Sequence, residues 1–90
     1  MPRADYTTPP AELEQLGDAV RSLRKGRDLK QIEVATNAGL TESQISDIEN
    51  ARNNPDWLLA TRLVVDGLGL ELRDLVEAYE EVGGRPARDR

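Results

Sequence analysis

The stretch K30-Q-I-E-V-A-T-N-A-G-L-T-E-S-Q-I-S-D-I-E-N50 decides how this chain folds. It reads as two short helices, Lys30 to Asn37 and Thr41 to Asn50, joined by Asn37–Ala38–Gly39–Leu40. That connection is too tight for an antiparallel helical hairpin unless Gly39 takes a positive φ, which glycine does without steric cost. Such a turn sets the two helices at a steep angle. Ala35 is small where the first helix must approach the second closely. Thr41 is a good N-cap, and Gln44 three residues on completes a T-x-x-Q capping box.

Helical periodicity continues on both sides. Leu13, Leu16, Val20 and Leu23 predict a helix from near Pro10–Ala11 that Gly26 closes. Ile32, Val34 and Ala35 are the inward candidates of the next one. "ARNNP", residues 51–55, is a loop, because the residue before proline is pushed away from helix. A fourth helix is expected over Asp56 to Asp66, with Trp57, Leu59, Leu63 and Val64 as core candidates, before Gly67 and Gly69 break it. A fifth covers Glu71 to Val82, where Leu72, Leu75, Val76 and Tyr79 recur at i, i+3, i+4, i+7 and Val82 extends the stripe. No strand-like alternation is sustained. The expectation is an all-α domain of five short helices over residues 11–82, with a flexible arm at 1–10 and a disordered tail at 83–90.

Ninety residues allow one small core. With Cys and His both absent, the chain has no disulfide, no zinc site of the usual ligand types, and no Ser-His or Cys-His nucleophile. No enzyme activity and no cofactor are expected. No apolar run nears the ~20 residues of a membrane span, and the N-terminus lacks a signal-peptide layout, so a cytoplasmic location without membrane attachment is expected.

The net charge of -5 is unevenly spread. Arg21, Arg24, Lys25, Arg27, Lys30 and Arg52 leave residues 21–52 at +1, whereas residues 53–84 sum to -5. The middle of the chain is therefore where a polyanion would be tolerated.

The central stretch resembles the Cro/phage-repressor (XRE-type) helix-turn-helix family. The resemblance rests on Gln31, the A-x-x-x-G of Ala35 to Gly39, Leu40, Thr41, Ile45, Ile48 and Glu49, and it extends over residues 13 to 76. Two departures stand out. The family often has glycine two residues after the Glu, whereas here the run is Glu49–Asn50–Ala51, so the helix exit is expected to fall to Asn50, Asn53 or Asn54. The stretch from Pro55 to "GLGL" is also about one residue longer than the family pattern.

The resemblance implies a DNA-binding transcriptional regulator whose third helix enters the major groove. Projected around that helix, Ser43, Ser46, Asp47 and Asn50 lie opposite Ile45 and Ile48, with Glu42 and Gln44 flanking them and Glu49 nearer the core. Glu42, Ser43, Gln44, Ser46 and Asp47 are then the expected base contacts; Gln suits adenine and a carboxylate can accept from cytosine N4. Lys30, Gln31, Asn50 and Arg52 are the expected phosphate contacts. By the same resemblance Glu49 pairs with Arg24. The expected partner is double-stranded DNA with a palindromic operator, bound by a homodimer formed through helix 71–82. The other reading is a protein-interaction or antitoxin-type module whose acidity attracts a basic protein partner.

Overall fold

The computed structural model describes residues 10–84; apart from Pro10, Gly83 and Gly84, the expected arm and tail lie outside them. Helix α1 runs Pro10–Gly26, α2 Gln31–Ala38, and α3 Glu42–Glu49. Helix α4, Trp57–Thr61, continues without a break into a π-helical segment, Arg62–Gly67, and α5 covers Leu72–Val82. All the regular structure among the described residues is helical.

The first three helices end by the same device. Asp28, Gly39 and Ala51 each take a left-handed conformation, with φ of 58°, 71° and 61°. In each case the next N–H reaches back five residues: Leu29 to the Arg24 carbonyl (3.1 Å), Leu40 to that of Ala35 (2.9 Å), and Arg52 to that of Asp47 (2.7 Å). These bonds satisfy carbonyls left over at a helix end. The third exit corrects the expectation that an asparagine would make it. Ala51 does so, although a side chain in this region costs about 1–2 kcal/mol that glycine avoids.

The core forms where α1, α2, α3 and the π-helical segment converge. Val20, Val34, Ala35, Ile45, Ile48, Leu63, Val64 and Leu68 are buried, with Leu16, Leu23, Leu59 and Leu75 among those packed around them. Three expected core residues are not there. Trp57 is 70% exposed, Val76 56% and Ile32 47%. Trp57 and Ile32 each stand two residues before an inward one, Leu59 and Val34, which places them about 200° around the helix from it. Val76 follows inward-facing Leu75 by one position, about 100° away.

The π-helical segment accounts for the one-residue excess noted after Pro55. Its wider turn is closed by Leu68 N–H donating to the Leu63 carbonyl, five residues back, at 3.0 Å. The extra residue is absorbed inside the helix, and Leu63, Val64 and Leu68 all remain buried. Helix α5 then folds back on α1. The Gln15 side-chain amide donates to the Tyr79 carbonyl at 2.6 Å, and Ala78 is buried. Much of the α5 apolar stripe is thereby covered within the same chain.

Candidate nucleic-acid interface

Helix α3 is held at both ends by polar contacts. At its start the Thr41 hydroxyl accepts from Gln44 N–H (3.1 Å) and the Gln44 side-chain oxygen accepts from Thr41 N–H (2.8 Å). At its far end Glu49 is turned inward, its side chain fully buried. Arg24 Nε lies 2.6 Å from Glu49 Oε2 and Arg24 Nη2 3.0 Å from Oε1. Gln31 Nε2 donates to Oε1 at 3.0 Å, and Arg21 Nε reaches the same oxygen at 3.4 Å. Arg24 also donates to the Leu29 carbonyl at 2.9 Å, tying the α1–α2 turn to the cluster.

Burial pushes the Glu49 carboxyl up, but hydrogen bonds from Arg24, Gln31 and Arg21, with the Arg24 charge, outweigh it and hold it below the usual carboxylate range. The hydrogen bond to Glu49 raises Arg24 above its ordinary value against the opposing effect of burial. A buried carboxylate with two guanidinium groups joins α1, α2 and α3. Removing one partner of such a pair would leave the other charge buried and unpaired, which costs about 3–5 kcal/mol.

Two members of this arrangement escaped the sequence reading. Arg21 donates from Nη2 to the Glu49 carbonyl (3.2 Å) and to Asn50 Oδ1 (3.3 Å), bracing the α3 C-terminus. Gly17 lets α1 lie directly on that terminus, since a Cβ there would fall 2.6 Å from the Glu49 carbonyl oxygen. A glycine inside a helical pattern costs about 1 kcal/mol, and that cost was the available signal of a close approach.

Among the expected base contacts, Glu42 and Ser43 are exposed, Ser46 and Asp47 are half-buried on the side of α3 away from Ile45 and Ile48, and Gln44 is half-buried beside Leu40, Leu58, Leu59 and Arg62. Gln44 has its oxygen committed to the cap. The expected phosphate contacts divide. Lys30 is exposed at the start of α2, where its N–H donates to Glu33 Oε1 at 2.7 Å. Arg52 is exposed and 3.7 Å from Asp47, a surface pair of little energetic weight. Gln31 is engaged by Glu49. Asn50 folds back, its Nδ2 donating to the Ser46 carbonyl at 2.8 Å. Lys30 is thus exposed and Arg52 is held only by its surface pair with Asp47, while Gln31 and Asn50 secure the base of α3.

No group of acidic side chains among the described residues could hold a metal ion, and no helix is long and apolar enough to cross a membrane.

The chain belongs to the helix-turn-helix domain family, whose model matches residues 15–80. It is 34% identical over 61 residues to the immunity repressor protein of Bacillus phage phi105, spanning 68% of this chain and 42% of that protein. It is 35% identical over 52 residues to the ImmF control region 10 kDa protein of the same phage, spanning 58% of each. The chain therefore spans less than two thirds of either curated relative. Among solved structures, the restriction-modification controller protein C.AhdI of Aeromonas hydrophila superposes with a TM-score of 0.68 at 29% identity, covering 72% of this chain and 97% of that one. The clp gene regulator ClgR of C. glutamicum shares the fold, with a TM-score of 0.71 at 22% identity over 86% of this chain and 96% of its own.

Proposed function

We propose that this protein is a sequence-specific DNA-binding transcriptional regulator that reads the major groove with α3, as a homodimer on a palindromic operator. The observation that carries this reading is the division of α3 into two sides. Ile45, Ile48 and Glu49 are buried, and Glu42, Ser43, Ser46 and Asp47 lie along the other side of a helix capped at one end and clamped at the other. A helix presented so rigidly, with short polar side chains outward, suits base-edge contacts better than a solvated surface requires. The relatives' names, a repressor, a controller and a gene regulator, support regulation as the outcome.

The residues define the expected readout. Helix α3 has no Arg or Lys, so guanine is not read by a bidentate guanidinium. Glu42 and Asp47 accept from cytosine N4, and Gln44, its oxygen used in the cap, donates from Nε2 to purine N7. Lys30 and Arg52 neutralise phosphates, with the Gln31 and Asn50 side chains beside them. Two cations per protomer imply a salt slope of only about -2 per protomer, or about -4 for a dimer.

Selection of bound sequences from a random duplex pool tests this directly. An enriched palindrome with half-sites about 34 Å apart is expected. No enrichment, or an affinity that stays flat between low and physiological salt, refutes it. The exposed acidic side of α5, with Glu77 and Glu81, supports a second reading in which a basic protein partner binds there. Pull-down of such a partner by wild type but not by Glu77→Lys tests that.

A further inference from the structure

We propose that the DNA-binding surface continues from α3 onto α4 and its π-helical continuation, where Arg62 binds a backbone phosphate and Leu58 packs on the neighbouring deoxyribose. This rests on the DNA-binding reading above and adds a contact outside the two helices of the turn motif. Leu58 and Arg62 stand four residues apart, so they share one side of their helix. With Leu40, Gln44 and Leu59 they line a shallow depression beside the first turn of α3. A duplex that Gln44 touches runs past this pair.

The disposition of the other cations singles out Arg62. Arg21 and Arg24 are turned onto Glu49, Arg52 lies against Asp47, and Arg73 is 3.0 Å from Glu71. Lys25, Arg27 and Lys30 belong to the end of α1 and the turn that leads into α2. Arg62 is exposed and makes no ion pair among the described residues, not even with Asp66 four positions on. It is a cation beside the start of α3 whose charge the fold leaves unused.

That charge stands where a duplex needs it. Helix α3 carries Glu42 and Asp47 and no cation, so its outward side repels a polyanion. Double-stranded DNA holds one negative charge per ~1.7 Å of its axis, so phosphates border any helix seated in a groove. An arginine reaching over from the adjacent helix offsets the acids without occupying a base-reading position. Leu58 is 72% exposed on the same side. Deoxyribose presents carbon beside each phosphate, so an apolar side chain next to a guanidinium matches one nucleotide of backbone.

The salt dependence registers this contact. Arg62 joins Lys30 and Arg52, and the slope for a dimer steepens from about -4 to about -5. Counterion release at the two added phosphates is worth about 30-fold in affinity at about 0.15 M salt.

Fluorescence anisotropy of labelled duplexes, titrated with protein at several salt concentrations, tests this. The duplexes are the operator enriched from the random pool and an unrelated sequence. Arg62→Ala should weaken binding to both by at least about tenfold at about 0.15 M salt, and flatten the slope by about 1 per bound protomer. Arg62→Lys should recover most of that slope. Leu58→Ala should weaken both duplexes a few-fold with the slope unchanged. Arg73→Ala removes the same charge from α5 and should bind as wild type does. All four variants should keep the wild-type circular dichroism, because Leu58, Arg62 and Arg73 are exposed. If Arg62→Ala binds as Arg73→Ala does, the contact does not exist and the proposal falls, while the regulator reading stands. If Arg62→Ala relaxes the preference at one base pair and keeps the slope, Arg62 reads a base and the backbone assignment is overturned. If the wild-type protein binds neither duplex at low salt, both readings fall together.

Discussion

Replacing Gly17 with alanine tests how helix α3 is seated. The new Cβ would lie 2.6 Å from the Glu49 carbonyl oxygen and 2.7 Å from that of Ile48, where ordinary contact begins at 3.4 Å. Helices α1 and α3 must therefore part by about 0.7–0.8 Å, because both obstacles are backbone atoms that no rotamer change can move. Overpacking of this kind costs about 1–3 kcal/mol. The better helix propensity of alanine returns about 1 kcal/mol, so the net loss is up to about 2 kcal/mol. In a domain of this size that lowers the thermal midpoint by up to roughly 15 °C. Gly26→Ala is the control, since a Cβ there meets nothing within 4 Å. It should be neutral or up to about 1 kcal/mol stabilising. Urea and thermal unfolding followed by circular dichroism compare the two. If Gly17→Ala gains as much as the control, the close approach of α1 to α3 does not govern stability and the reasoning fails.

Four further outcomes follow from the same geometry. Arg24→Ala should destabilise by about 2–3 kcal/mol in urea unfolding, less than the full cost of orphaning a buried charge because Arg21 and Gln31 still reach Glu49. The Glu49 carboxyl is depressed in the fold, so its stabilisation is complete above the ordinary Glu value of about 4.3 and is lost as pH falls through the depressed value. The wild-type thermal midpoint should accordingly fall more steeply below about pH 4 than that of Glu49→Gln. Ala51→Gly should gain about 0.5–1 kcal/mol in the same assay, by relieving the left-handed side chain net of the looser unfolded chain. Asp47→Ala should relax the preference at one base pair by about 1–3 kcal/mol in competition binding without abolishing binding, since Arg52 is then free for a phosphate.

What could be read in the sequence and what could not follow from the range of each cause. The α2–α3 corner was legible because its determinants sit close together in the chain, between Gly39 in the turn and Thr41 and Gln44 at the cap. Helix periodicity was equally legible, but it ranks residues around a helix without saying how wide the covered arc is. Trp57, Ile32 and Val76 were therefore counted as core when the neighbouring helices stop short of them. The one-residue excess after Pro55 showed as a misfit in alignment; its resolution in a π-helical turn depends on keeping Leu63, Val64 and Leu68 all inward, which only packing decides. Within the site, Arg21 and Gly17 act on the end of α3 across 28 and 32 residues of chain, from a helix whose rotation local spacing does not set. The left-handed turn at Ala51 was hidden for another reason. Its residue type argues against the conformation, which the backbone bonds from Ala51 to Ile48 and from Arg52 to Asp47 hold in place.

The split between the two sides of α3 bears on how such a protein can change over time. Glu42 and Ser43 have no structural bond to break, and Asp47 has only a weak surface pair. Most substitutions at those three positions leave Ile45, Ile48, Glu49 and the cap untouched, so they alter what the helix touches at almost no cost in folding. On the proposed reading, mutations there are screened by the DNA alone. Mutations at Gly17, Arg24 or Glu49 are screened first by whether the chain folds. A lineage built this way can drift through many target sequences on one scaffold, and its relatives should differ most at the three positions where this chain itself has the least at stake.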